Sequence, residues 1–162
     1  MGIDEKGPFA GAHLSLATPE DCAELLVLQR CCWMQEALVN DTLDIPALHE
    51  SLEDVREWTK TWSTWVVRLG PRLIAAVRGT LEGEEWEIGR LMVAPDLAGR
   101  GLGRWLLAHA EREAPAAARR YSLFTGVRSA RNIAMYERAG YRPTTAPGAV
   151  RGAVYLVKER AN

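Results

Sequence analysis

The spacing of apolar and polar positions changes repeatedly along this chain, and each change marks a predicted element. Residues 13–17 (HLSLA) alternate, the period of a half-buried strand. Thr18, Pro19, Glu20 and Asp21 then supply a capping hydroxyl, a proline for the first helical position and two acids for the first turn. The spacing predicts a helix from there to about residue 33, with Leu25, Leu28 and Cys32 on one face. Residues 40–46 read as a loop, and Pro46 opens a second helix to about residue 60. Strands are predicted at 62–69 and 73–80, turned by Gly70 and Pro71, and a hairpin turn around Gly83 leads to a strand over 86–94. Leu102, Leu106 and Ala110 recur every fourth residue in a helix over 101–114, broken at Pro115. A short strand at 121–125, a helix from Ser129 through 139 ended by Gly140, and strands at 141–145 and 153–158 complete the chain.

This order, β-α-α-β-β-β-α-β-α-β-β, mixes hairpins with helical crossovers. It implies an α/β fold built on one mixed sheet of about seven strands, with helices on both faces. A length of 162 residues suits one core, so residues 13–162 are read as a single domain behind a flexible tail over 1–12.

Composition removes several classes of function. The chain is 48% apolar and 25% charged, with a net charge of −1. That balance gives no electrostatic footing for nucleic acid, and no run of about 18 apolar residues indicates a membrane span. The start has no basic region followed by an apolar stretch, so no secretory signal is read. Cys22, Cys31 and Cys32 lack zinc spacing and read as reduced thiols, which points to the cytoplasm and to no metal. Charge is nonetheless uneven. Residues 34–58 hold seven acids against Arg56 alone, whereas residues 99–160 are rich in arginine. This split suits a protein handling a cation at one end and a polyanion at the other, or two ordinary solvated faces.

Candidate chemistry concentrates in residues 91–111, LMVAPDLAGRGLGRWLLAHAE. A strand ends, a loop with Gly99, Gly101 and Gly103 follows, and an amphipathic helix starts at once. Such a loop, with the helix's first free amides, forms an anion cradle, and Arg100 and Arg104 add positive charge. The spacing belongs to neither a dinucleotide fold nor a P-loop.

The arrangement resembles the GNAT superfamily of N-acetyltransferases over nearly the whole chain. The family signature, Arg/Gln-x-x-Gly-x-Gly/Ala, falls on residues 98–103, with Ala98 where a long polar residue is usual. A second family segment is matched by SARNIAMYERAGYRP, residues 129–143, where Asn132 and Tyr136 share a helix face. The more usual family spacing would put that asparagine at Ser129.

The resemblance implies a GNAT-like fold and direct transfer of an acetyl group from acetyl-CoA to a primary amine while both are bound. Leu91, Met92 and Val93 would pair with the pantetheine arm. Gly99, Arg100, Gly101, Leu102, Gly103 and Arg104 would hold the diphosphate, with Asn132 also facing the cofactor. Tyr136 would protonate the departing thiolate, unless it is a core tyrosine with its hydroxyl in water. Glu87 is the candidate base, placed by strand alternation on one face with Gly89, Leu91 and Val93. A route through Cys31 or Cys32 would need a partner among His13, His49 and His109, none of which carries a motif. The acceptor is expected to be a small cationic amine. A protein amine, and a non-catalytic module that binds acyl-CoA, remain open. A homodimer is equally open, since the sequence does not set the oligomeric state.

Overall fold

The computed structural model describes residues 10–145 and 151–161. The segments 1–9 and 146–150, which contain most of the expected tail and the Pro147–Gly148 loop, lie outside the described residues.

Seven strands form one sheet in the order β1-β2-β3-β4-β5-β7-β6. They are β1 (Ala12–Leu16), β2 (Ser63–Leu69), β3 (Arg72–Glu82), β4 (Glu85–Val93), β5 (Arg120–Gly126), β6 (Arg142–Thr144) and β7 (Ala153–Glu159). Every neighbouring pair is antiparallel except β4 with β5. The expected mixed sheet of seven strands is therefore present. The helices are α1 (Cys22–Asn40), α2 (Pro46–His49), α3 (Leu52–Thr61), α4 (Leu102–Arg112) and α5 (Ala130–Arg138).

Each face of the sheet carries its own core. On one, Leu102, Leu106, Ala110 and Tyr136 from α4 and α5 pack with Val77, Trp86, Ile88 and Leu123. On the other, Leu25, Leu28, Val55 and Trp58 from α1 and α3 pack with Val66, Ala76 and Met92.

Two helical expectations change. The first helix runs on to Asn40, where Asp41 ends it in the left-handed region (φ 52), because nothing after Trp33 stops it. The second helix is two. Glu50 is extended (ψ 138), and Ser51 starts α3 with a reciprocal cap: its hydroxyl accepts from the Asp54 amide while the Asp54 carboxylate accepts from the Ser51 amide.

The feature that shapes the site is the junction of β4 and β5. They pair only over Glu85, Trp86 and Glu87 against Arg120, Tyr121 and Ser122. Beyond that, β4 stays with β3 as far as Val93 and β5 stays with β7 as far as Gly126. The sheet thus parts between its two central strands, leaving backbone donors and acceptors of β4 and β5 facing the gap.

Candidate active site

A bulge sits where β4 borders this gap. Gly89 lies opposite Arg78 and Met92 opposite Ala76, so Arg90 and Leu91 together face Val77 alone. Arg90 absorbs the extra residue at φ 46, a left-handed conformation for a side chain that has a Cβ. The bulge corrects one expectation. Strand alternation would put Glu87, Gly89, Leu91 and Val93 on one face, but the inserted residue inverts the alternation. Leu91 and Val93 pack with the α4–α5 core, and Glu87 and Gly89 face the α1–α3 side with Met92.

The anion cradle follows directly from the end of β4. Ala94 donates to Ile74 O (2.8 Å), Pro95–Leu97 makes a single 3-10 turn, and the loop delivers the chain to α4. Gly99 (φ 81) and Gly101 (φ 85) adopt backbone that L side chains rarely enter. Gly101 occupies the N-cap position of α4, and its carbonyl accepts the Trp105 amide at 3.0 Å. The amides of Leu102, Gly103 and Arg104 therefore precede the first intrahelical bond and point outward from the helix end. A Cβ on Gly101 would meet nothing within 4 Å, so the space above this turn is open. Arg100 and Arg104 are exposed beside it. Arg131 of α5 joins them, with a guanidinium nitrogen 3.1 Å from where a Cβ on Gly99 would stand. The sequence showed Arg131 only as one of many C-terminal arginines.

Tyr136 is 7% exposed and its ring packs against Tyr141, with centroids 6.2 Å apart. Burial, reinforced by the negative charge of Glu36, pushes its hydroxyl well above the ordinary tyrosine range, so it carries its proton throughout the neutral range. Glu36 was not singled out by sequence. It accepts from Ser129 Oγ and from Asn132 Nδ2 (3.0 Å), while Asn40 donates to Ser129 Oγ (2.9 Å) and accepts from the Arg128 amide (2.9 Å). These bonds join the end of α1, which covers one face, to the start of α5, which covers the other. Asn132 is thus directed to α1.

Glu87 is half-buried. Burial, with repulsion from Glu82 and Glu85, raises its pKa above the ordinary glutamate value, against the opposing pull of Arg78 and Arg90. Such a carboxylate is a better proton acceptor than an exposed one. Glu50 behaves oppositely: burial resists its ionisation, but Arg90 and hydrogen bonds from Gln29 (3.2 Å) and Trp58 (2.8 Å) outweigh that and hold it below the usual range.

Cys31 is exposed, and Cys32 is no nucleophile of comparable standing. Cys32 donates to Val93 O at 3.2 Å, and burial pushes its thiol up to about 12, far from the thiolate a nucleophile needs. His109 is buried between Trp65 and Trp105. The acids of residues 34–58 are largely engaged within the fold. Besides Glu36 and Glu50, Glu53 lies 3.6 Å from Arg56, Asp54 caps α3 and Glu57 pairs with Lys60 at 2.8 Å. They do not form a bare acidic wall. No group of three or more His, Cys, Asp or Glu among the described residues could hold a metal ion, and no described helix is long and apolar enough to cross a membrane.

This geometry can be set beside known proteins. No curated protein matches the chain. Among solved structures, it is similar to an acetyltransferase from Streptococcus agalactiae (TM-score 0.76, 18% identity, covering 94% of this chain and 100% of that one). It is also similar to an acetyltransferase from Thermus thermophilus (TM-score 0.72, 21% identity, covering 93% and 98%). A third, the PaiA N-acetyltransferase of Thermoplasma acidophilum in complex with coenzyme A, gives a TM-score of 0.69 at 14% identity, covering 93% and 100%. At these identities the likeness is one of fold. The profile of the Acetyltransferase (GNAT) family matches residues 25–141, a stretch that takes in the bulge, the glycine cradle and Tyr136. The chain belongs to the GNAT family of acetyltransferases.

Proposed function

We propose that the protein is an acetyl-CoA-dependent N-acetyltransferase of the cytoplasm that acetylates a primary amine on a small molecule, with donor and acceptor bound together. The observation that carries this reading is the parting of β4 from β5 directly upstream of the Gly99–Gly103 cradle. The gap offers an unpaired strand edge to the amide-bearing pantetheine arm, in the manner of an added strand. The cradle offers three helix-end amides and three arginines to the diphosphate. Backbone donors freed at the bulge would face the negative charge that develops on the oxygen of a thioester lying in the gap.

The remaining steps are proton transfers. An ammonium has no lone pair, so the acceptor first gives a proton to Glu87. Its nitrogen then attacks the acetyl carbonyl, the C–N bond forms and the C–S bond breaks, Tyr136 supplies a proton to the thiolate, and the nitrogen's second proton leaves through water and restores the Tyr136 hydroxyl. Glu87 and Tyr136 belong to opposite faces of the sheet. That disposition suits a thioester lying in the gap between them, with the amine arriving from one side and the thiolate leaving on the other.

Three outcomes follow from this reading. Acetyl-CoA at about 100 times its Kd should stabilise the protein by roughly 2.7 kcal/mol, read as a raised thermal midpoint. Gly101→Val should abolish that rise, since its side chain enters the open space and is strained at φ 85. A normal shift in the variant would move the diphosphate site elsewhere.

Tyr136→Phe keeps the ring and its packing but removes the proton. kcat should fall by about 10²-fold with acetyl-CoA affinity nearly unchanged. A Tyr136→Phe enzyme with undiminished kcat would assign this tyrosine to packing.

The third outcome is pH dependence. Glu87 is competent only when deprotonated, so kcat/KM should climb with pH through its raised pKa and level off above it. Glu87→Gln should remove that acidic limb together with most of the activity. An unchanged profile in the variant would mean another base.

A further inference from the structure

Beside Glu87, on the face covered by α3, one cation has no hydrogen-bonded counterpart among the described residues. Arg78 lies directly across the β3–β4 ladder from Gly89, so it shares a face with Glu87 two residues along. Its guanidinium carbon stands 4.6 Å from the ring centroid of Trp58 and 4.1 Å from that of Trp62, two indoles that hold its aliphatic stem and head in place. Its buried Nε–H donates to no partner, and the side chain makes no hydrogen bond or ion pair among the described residues. Burial and the nearby charge of Arg90 disfavour its cationic form more than the charges of Glu50 and Glu87 favour it, yet a guanidinium keeps its proton at any physiological pH.

The surroundings sharpen the contrast. Arg78 lines an open pocket of about 400 Å³ together with Glu50, Asp54, Glu57, Trp58, Thr61 and Trp62. Each acid of that pocket has a partner of its own: Glu50 has Arg90, Asp54 has the Ser51 cap, and Glu57 has Lys60. Among the described residues, Arg78 alone of that pocket's charged side chains has no direct hydrogen-bonded partner; Glu50 and Glu87 act on it only at longer range. A half-buried guanidinium that bonds no acceptor is costly, and an anionic ligand group that reached it would gain a charge-assisted bond.

We propose that Arg78 is the receptor for a carboxylate on the acceptor, so that the amine acetylated here is carried by a short amino acid. This rests on the acetyl-transfer reading above and refines its acceptor, which the charge split of the sequence leaves as a generic cation. The reacting end remains an ammonium, directed to Glu87, and the carboxylate takes no part in bond making. A carboxylate fits better than a phosphate, because a single planar guanidinium balances one charge. A dianion would also meet Glu50, Glu57 and Glu87. Arg78 is a specificity residue in this account.

The test is thiol release from acetyl-CoA with matched acceptors at equal concentrations of free base. Glycine, β-alanine, γ-aminobutyrate and phenylalanine are compared with methylamine, ethylamine, propylamine and phenethylamine. At least one amino acid should exceed its decarboxylated counterpart in kcat/KM by about ten-fold or more, the scale of one bond to a charged group. In Arg78→Met that ratio should fall close to one, and Arg78→Lys should retain part of it. The inference is overturned if no amino acid is preferred, or if the preference survives in Arg78→Met. Turnover of plain amines alone would overturn it while leaving acetyl transfer standing. Release from no amine of either set would remove both.

Discussion

Arg90 holds a left-handed backbone in the middle of β4, and contacts from the helices on one face keep it there. Glu50, between α2 and α3, pairs with its guanidinium, and the same carboxylate accepts from Trp58 of α3 and Gln29 of α1. Trp33 of α1 stacks beneath it, with the guanidinium carbon 5.4 Å from the ring centroid. A non-glycine residue in this region costs on the order of 1–3 kcal/mol, so the conformation persists only where surrounding contacts impose it. The consequences run outward from that one residue. The bulge inverts the side-chain alternation of β4, sending Leu91 and Val93 to the core under α4 while leaving Glu87 on the face under α3. It also removes backbone groups from the β3 ladder just where β4 has already left β5.

The two halves of the sheet would be loosely joined across that gap without ties elsewhere. At the closed end, Glu85 on β4 receives Arg120 of β5 at 2.7 Å and Tyr155 of β7. At the open end, Glu36 receives Ser129 and Asn132, residues more than ninety positions away in the chain. All but the exposed Arg120 bond are partly buried, and losing one side of such a bond leaves a buried polar group unsatisfied, which is costlier than the bond itself is worth. The gap is therefore a built opening with a tie at each end.

Much of this was legible in advance, for identifiable reasons. Strand and helix order followed from periodicity and from Pro and Gly punctuation, since those signals are local. The cradle was legible because positive-φ backbone leaves a visible mark in glycine, as at Gly99 and Gly101. Arg90 leaves no such mark. An arginine in a strand looks ordinary, and only the register against Val77 exposes the inserted residue. The acidic stretch of residues 34–58 read either as a cation-handling face or as an ordinary solvated one, because composition does not show pairing. Its partners, from Ser51 in the next turn to Arg90 and Ser129 in distant elements, are set by tertiary structure. For the same reason Arg78 looked like one more strand arginine. What distinguishes it is that the acids lining its pocket bond elsewhere.

The central claim is that the thioester donor lies in the gap between β4 and β5, from the bulge to the cradle. Titrating the isotope-labelled protein with acetyl-CoA and following backbone amide resonances tests it most directly. The account predicts that the largest shifts fall at residues 90–93 and 99–104. Shifts confined to the acidic pocket around Glu82, Glu84, Arg119 and Arg120, at the closed end of the gap, would contradict it.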